Sequence, residues 1–200
     1  MKVIIDNGHG SDTPGKRSPD GRLYEWKWTR ILANRIKESL TSHGVDSAIL
    51  VPEDIDISLA DRCRRANAIV TTSRNADATG KCILISLHNN AAGMGDKWHV
   101  ASGFAAFVSR NASADSMRLA HLLTRQAIAA DILGNRHTPT AGFHIANFAI
   151  CRDTICPAAL TENLFMDNLA DIDFLLSERG LALITHVHTN AILKYFNINL

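Results

Sequence analysis

Cysteine is scarce in this 200-residue chain, and the four that occur are scattered at Cys63, Cys82, Cys151 and Cys156. None forms a C-x-x-C pair, so the pattern of a structural zinc site is missing. Cys63 falls within a helical pattern and Cys82 opens a strand, where a thiol acts as a small apolar group. Cys151 and Cys156 flank Arg152-Asp153-Thr154-Ile155 and can pair if those residues turn, but the default expectation is free, buried thiols. Charge of one sign is equally short, with 21 Lys and Arg against 20 Asp and Glu. That balance gives no broad electrostatic argument for nucleic acid or an anionic membrane. No apolar stretch approaches the length of a bilayer-spanning helix, so no membrane insertion is expected. No secretory h-region fits ahead of the first strand. The chain is therefore expected to be made in the cytoplasm without a leader, or to have lost one, and the Asn111-Ala112-Ser113 sequon carries no meaning without it. Repeats, low-complexity tracts and interdomain linkers are also missing. What is present, 46% hydrophobic residues in 200, suffices for one well-buried domain spanning residues 1–200.

The pattern alternates strands and helices. A strand at Val3-Ile4-Ile5 is followed by a loop from Ser11 to Arg22, in which Pro14-Gly15 and Pro19-Asp20-Gly21 signal turns. A helix is predicted from Leu23 to His43, with Ile31, Leu32, Ile36 and Leu40 spaced for one apolar face and Gly44 ending it. Val45 to Val51 reads as a strand. Ser58 caps a helix whose Leu59, Cys63, Ala66, Ile69 and Val70 face inward. A strand from Cys82 ends at His88, and a loop from Asn89 to Ser102 follows. Gly103–Ser109 is a strand, Ser113–Leu133 a helix, Gly134–Ala146 a polar loop and Phe148-Ala149-Ile150 a short strand. A strand Ala158–Thr161 leads into Glu162, a helix opens near Asn168 to Asp171, and a last amphipathic helix covers Leu181 to Phe196. This alternation predicts an α/β fold with a mostly parallel twisted sheet and helices on both faces. In such sheets the functional crevice lies beyond the carboxyl ends of the strands.

Three polar residues fall at that edge: His9 after the first strand, His88 at the end of another, and Glu162 after a third. Glu25 sits at the mouth of the first long helix. Two imidazoles and one carboxylate make a zinc site with an open fourth position, and a second carboxylate can serve as base. Spacing alone is weak evidence, for there is no compact H-E-x-x-H, and either histidine taken singly reads as a hydrogen-bonded loop residue. The neighbours argue the other way. Gly8 and Gly10 on both sides of His9 permit close backbone approach. Glu162 lies among Leu160, Leu164 and Phe165, where an ionised carboxylate needs a cationic partner or a raised pKa.

Four stretches in order along the chain carry a family resemblance. They are Ile4-Ile5-Asp6-Asn7-Gly8-His9-Gly10; Glu25 at the start of the first helix; Ser86-Leu87-His88-Asn89-Asn90-Ala91, preceded by an S-L-x-x-R-x-x-x-A-N pattern at Ser58–Asn67; and Pro157 through Glu162 to Phe165 and Asn168. Together they resemble the zinc-dependent N-acetylmuramoyl-L-alanine amidases of the type-3 family. The resemblance implies His9, Glu25 and His88 as zinc ligands, Glu162 as the catalytic carboxylate, and peptidoglycan as substrate, cut between muramic acid and L-alanine. Asn7, Thr161 and Asn163 depart from the commoner family residues. The alternatives are a zinc carboxypeptidase or deacylase on a related scaffold, which would need a different pocket, and a catalytically silent peptidoglycan-binding module. Want of a leader would suit a phage-type lysin acting at the cell wall. Residue chemistry alone leaves the roles of Glu25 and Glu162 interchangeable. Softer candidates are Asn67 and Asn168 as loop anchors, Arg62 as partner of a carboxylate or a solvent-facing cation, and Trp98, His99, His137 and His144 on loops near the cleft. Trp26 and Trp28 flank the helix start and are expected to pack against the sheet. Oligomeric state is not legible.

Overall fold

The computed structural model describes residues 1–77, 80–93 and 96–198. In chain order the elements are β1 (Lys2–Asn7), α1 (Glu25–Ser42), β2 (Asp46–Ile49), α2 (Leu59–Ala76), β3 (Cys82–Asn90), β4 (Ala105–Val108), α3 (Ala114–Ala129), β5 (His144–Ile145), α4 (Ala149–Arg152), β6 (Ala158–Phe165), α5 (Leu169–Leu175) and α6 (Glu178–Phe196). The strands form one sheet in the order β2-β1-β3-β6-β4-β5. β2, β1, β3 and β6 run parallel, β4 runs antiparallel to β6, and β5 is parallel to β4. The fold is the expected α/β sandwich, with the sheet mixed at one edge.

Side-chain alternation along the strands divides the interior into two cores. Val3, Ile5, Ile83, Ile85, Leu87, Ala106, Val108 and Ala159 point to the side covered by α1, α3, α5 and α6. Ile4, Leu84, Ala105, Phe107, Ala158 and Leu160 point to the side covered by α2 and α4, against Cys63, Ala66, Val70 and Ile150. By the same period, Asp6, Ser86, His88 and Glu162 continue the second face towards the carboxyl ends of the parallel strands. The thinner layer of helices there leaves the strand ends accessible.

Several predicted boundaries move, each for a local reason. Leu23 and Tyr24 precede α1 because the chain pairs with itself there: Ser18 and Leu23 exchange hydrogen bonds, and Arg17 bridges Tyr24. α3 stops at Ala129, before Leu133, because Asp131 takes a left-handed conformation (φ 56°). α6 begins earlier than Leu181, where the Ser177 side chain accepts from the Gly180 N–H. The apolar run Phe148-Ala149-Ile150 is not a strand. Phe148 caps the short helix α4, its carbonyl accepting from Cys151 and Arg152. A short apolar run fits either state, and the edge strand is β5, inside the predicted polar loop. β3 continues two residues beyond His88, and β6 runs through Glu162 to Phe165, so Glu162 is a mid-strand residue. The four cysteines are free and buried as expected, and burial pushes Cys151 and Cys156 up to about 12.

The two layers meet at His188. This fully buried imidazole of α6 donates from Nδ1 to the Ile184 carbonyl (2.9 Å), leaving Nε2 as acceptor facing the Thr161 hydroxyl of β6 (3.1 Å). Burial holds its pKa down at about 4. The unfolded chain therefore takes up a proton below pH 6.5 that the folded chain refuses until about pH 4. Stability falls as pH drops through that window. We expect the acid limb of a urea-unfolding series to be shallower for His188→Gln than for wild type, by about 3 kcal/mol accumulated between pH 6.5 and 4. Identical limbs would show that His188 is not held neutral.

Candidate metal centre

β1 ends on a buried Asn7, whose amide donates to the Val51 carbonyl (2.8 Å). His9 follows in a left-handed conformation (φ 61°), costly for a side-chain-bearing residue unless its surroundings fix it. They do. The His9 carbonyl accepts from Arg30 (3.1 Å) and from Arg62 (3.2 Å). Arg62 of α2 is only 3% exposed; it also donates to Asp6 Oδ1 (2.7 Å), the Asn7 carbonyl (2.8 Å), the Ile57 carbonyl (2.8 Å) and Asp56 (2.9 Å). The other oxygen of Asp6 accepts from Ser86 Oγ (2.6 Å). Arg62 is thus a carboxylate partner and not a solvent-facing residue. The glycines beside His9 are required for space: a Cβ on Gly8 would lie 2.3 Å from the His88 ring, and one on Gly10 1.9 Å from the Asp56 nitrogen.

Glu25 opens α1 and is fully buried. Its Oε1 accepts from the Asn89 backbone N–H (3.0 Å) and lies 3.0 Å from His88 Nδ1; Oε2 lies 3.5 Å from His9 Nε2. The two imidazoles stand edge to face with centroids 5.0 Å apart. One ligand atom from each of His9, Glu25 and His88 falls within 4.8 Å of the others. Buried Glu25 Oε2 has no hydrogen-bond partner, the condition a cation would satisfy. Two imidazole nitrogens and a carboxylate oxygen are donors that zinc accepts, so the residues present fit the metal.

Glu162 stands beside them. In the β3–β6 register it is opposite His88, and across β6 it faces the small Ala105 of β4. Burial pushes its pKa up to about 7; the charge of Glu25 adds to this, while His88, Lys16 and Arg136 oppose it. Its Oε2 is buried and unpartnered. Glu25 differs. Burial raises its pKa too, but the His88 hydrogen bond and the charges of His88, His9 and Lys16 outweigh this and hold it below the usual range. His88 is raised correspondingly, burial opposing and the Glu25 contact prevailing, whereas burial brings His9 to about 4 against the pull of Glu25. The two carboxylates therefore differ: Glu25 is held in its ionised form, whereas burial brings the pKa of Glu162 to about 7. A cleft of about 440 Å³ joins His9, His88 and Glu162 to Lys16, Asp56 and Arg62, with Ile57, Leu59, Phe148 and Leu160 as its apolar wall.

All four predicted site residues converge here. Asn67 holds the α4–β6 loop through Asp153 and Ile155, and Asn168 caps α5 and donates to the His99 carbonyl. His144 stacks on Phe107. Trp98, His99 and His137 do not line the cleft. Trp28 is buried and donates to the Leu175 carbonyl (2.9 Å), and Trp26 lies under Arg30. Sequence reasoning passed over Lys16, Asp56 and the Asn89 N–H. Nothing in their local pattern marks them, because each is brought in by a loop or by a backbone atom.

The family model described as N-acetylmuramoyl-L-alanine amidase matches residues 3–194. The chain is 26% identical over 200 residues to the sporulation-specific N-acetylmuramoyl-L-alanine amidase of Bacillus subtilis, covering 99% of this chain and 69% of that protein. It is 26% identical over 198 residues to an endolysin of Bacillus phage SPP1, covering 98% of this chain and 66% of that one. Among solved structures, an N-acetylmuramoyl-L-alanine amidase from Clostridium difficile 630 superposes with a TM-score of 0.82 at 22% identity, covering 98% of this chain and 96% of that chain. The amidase catalytic domain from Bacillus (Paenibacillus) polymyxa superposes at 0.79 with 20% identity, covering 99% of each. At these identities the superpositions speak for the fold.

The proton on Glu162 has a measurable sign. Its folded pKa of about 7 lies above the ordinary 4.5, so the unfolded chain ionises first and stability is lost as pH rises between those values. In metal-free protein, Glu162→Gln should gain about 3 kcal/mol relative to wild type at pH 8 and nothing at pH 4. Chemical denaturation of chelator-treated protein at the two pH values measures this. An equal difference at both would place the effect outside the titration of Glu162.

Proposed function

Since the chain belongs to the N-acetylmuramoyl-L-alanine amidase family, a family of hydrolases, we propose that it acts at the cell wall on peptidoglycan, cleaving the amide between N-acetylmuramic acid and L-alanine with zinc held by His9, Glu25 and His88 and with Glu162 as catalytic carboxylate. Residues 1–200 make up one catalytic domain in this reading. The observation that supports it most is the convergence of His9, Glu25 and His88 within 4.8 Å, with Glu25 Oε2 buried and unsatisfied. Among the described residues no helix is long and apolar enough to cross a membrane.

A bound zinc ion supplies Lewis acidity at this position, polarising an acyl oxygen and acidifying water. The chain's own residues do the rest. Glu25, kept ionised by His88 and His9, brings negative charge to a cluster of otherwise neutral ligands, and the Asn89 N–H fixes one of its oxygens. Glu162 takes the proton of the attacking water at the lactyl carbonyl carbon. As the C–N bond breaks, it returns that proton to the leaving amine of L-alanine. A carboxyl group poised near pH 7 suits both halves of the cycle, because neither proton transfer is steeply uphill. The apolar wall of Ile57, Leu59, Phe148 and Leu160 restricts water around the acyl group.

Mass spectrometry of purified peptidoglycan incubated with the protein, with and without a zinc chelator, tests the reaction. Free stem peptides beginning with L-alanine should appear only without chelator; shortened stems still attached to sugar would identify a peptidase instead. Two variants separate the roles. His88→Ala should lose zinc, and normal zinc content by atomic absorption would remove His88 from the site. Glu162→Ala should keep zinc and lose hydrolysis by about a hundredfold or more, and an active Glu162→Ala would end the proposed mechanism.

A further inference from the structure

One cation near Glu162 has no ion-pair counterpart among the described residues. Arg136 leaves a pinned stretch of backbone. The Asn135 N–H donates to the Ser102 carbonyl (3.2 Å), its side-chain amide donates to the Val100 carbonyl (2.7 Å), and its Oδ1 accepts from the Ser102 N–H (2.9 Å). From there the guanidinium reaches back over the sheet. Its central carbon lies 5.5 Å from the Phe107 ring centroid and 5.7 Å from that of Phe165. Phe107 pairs with Leu160 across β4 and β6, and Phe165 ends β6, so the two rings flank the strand segment that carries Glu162. The charge of Arg136 is felt at Glu162 and at His144.

One of its donors, Nε, is unused. It is buried and has no hydrogen-bond partner, and among the described residues no carboxylate pairs with this guanidinium. A guanidinium held by its faces against aromatic rings keeps its N–H groups in the plane, free to bind a carboxylate in fork geometry. The side chain is half-buried, and its buried Nε lacks the partner that buried donors normally have.

We propose that Arg136, outside the cleft wall but beside the β6 segment that carries Glu162, is a specificity residue that binds a carboxylate on the peptide side of the scissile amide. This rests on the amidase reading above. The chemistry of that substrate selects the side: the lactyl carboxyl group of the muramic acid is consumed in the amide itself, so the free carboxylate must come from the residues after L-alanine. Binding there would seat the leaving peptide beside Glu162, which must protonate its amine. Arg136 acts by holding the substrate and takes no part in proton transfer.

The test uses two N-acetylmuramoyl-L-alanyl peptides that differ only in the residue after L-alanine, whose carboxyl group is free in one and a carboxamide in the other. Zinc-loaded wild type should prefer the free carboxylate by about tenfold or more in kcat/KM, mainly through KM. Arg136→Ala should erase that ratio, and Arg136→Lys should keep part of it. Calorimetric binding of both peptides to Glu162→Gln protein should give the same ranking without turnover. A wild type indifferent to the carboxylate, or a preference that survives in Arg136→Ala, overturns the assignment. Failure of wild type to cleave either peptide counts against the amidase reading instead, and the binding comparison then decides Arg136 on its own. Should circular dichroism show Arg136→Ala unfolded, Arg136→Gln takes its place under the same criteria.

Discussion

Everything at the strand ends hangs on the buried guanidinium of Arg62. It fastens the start of α2 to the end of β1 through Asp6, the Asn7 and His9 carbonyls, the Ile57 carbonyl and Asp56. A charge 3% exposed survives only because every direction it offers is answered. Asp6 is equally committed, bound to Arg62 on one oxygen and to Ser86 on the other. This lattice links β1, β3 and α2 directly beneath the two histidines. Losing one partner would strand a buried charge, a cost of about 3–5 kcal/mol in comparable pairs. The strained His9 backbone is stable because two arginines hold its carbonyl, and that conformation aims the imidazole at Glu25.

On that foundation the two carboxylates acquire opposite behaviour from their surroundings. Both are buried, so burial alone would raise both. Glu25 receives a backbone N–H, an imidazole contact at 3.0 Å and a second at 3.5 Å, which together overcome the desolvation. Glu162 has an apolar strand, the small Ala105 across the sheet and no hydrogen-bond partner for Oε2, and its pKa rises to about 7. This asymmetry supports the proposed roles of the two glutamates, which the sequence leaves open: an ionised group suits a ligand and a titrating one suits a base.

How much of this was legible follows from the range of the forces involved. Periodicity placed the helices and the parallel strands because burial of one face is written locally in each segment. The tip of the site was legible for a related reason, since His9, His88 and Glu162 follow or sit in apolar runs, and glycines mark the close approach of β1 to β3. The edge strand His144–Ile145 was hidden, because two residues carry no period and their partner β4 lies far away in sequence. Phe148–Ile150 went wrong because three apolar residues satisfy a strand and a helical turn equally. The start of α1 slipped by two residues because Leu23 answers to Ser18, a turn contact that no propensity reveals. Arg62 stood in a recognisable pattern, but whether it met a carboxylate depended on the distance between α2 and β1, which only the packed sheet sets.

The same division explains how the cleft is built. Groups assigned to the chemistry come from β3, β6, the turn after β1 and the first turn of α1, positions fixed by backbone ladders and by the Arg62 lattice. Groups lining the approach come from loops: Lys16 from the turn-rich segment after β1, Asp56 and Ile57 before α2, and Phe148 before α4. Loop residues can change without disturbing the ladder, whereas even a methyl group at Gly8 would strike the His88 ring at 2.3 Å. Residues of the approach can therefore vary on this scaffold while the proposed ligands His9, Glu25 and His88 stay fixed, because the two sets answer to different constraints. The mixed sheet serves that separation. By turning β4 antiparallel to β6, it sets Ala105 across from Glu162 and Phe107 across from Leu160, giving Glu162 room and giving Arg136 an aromatic seat.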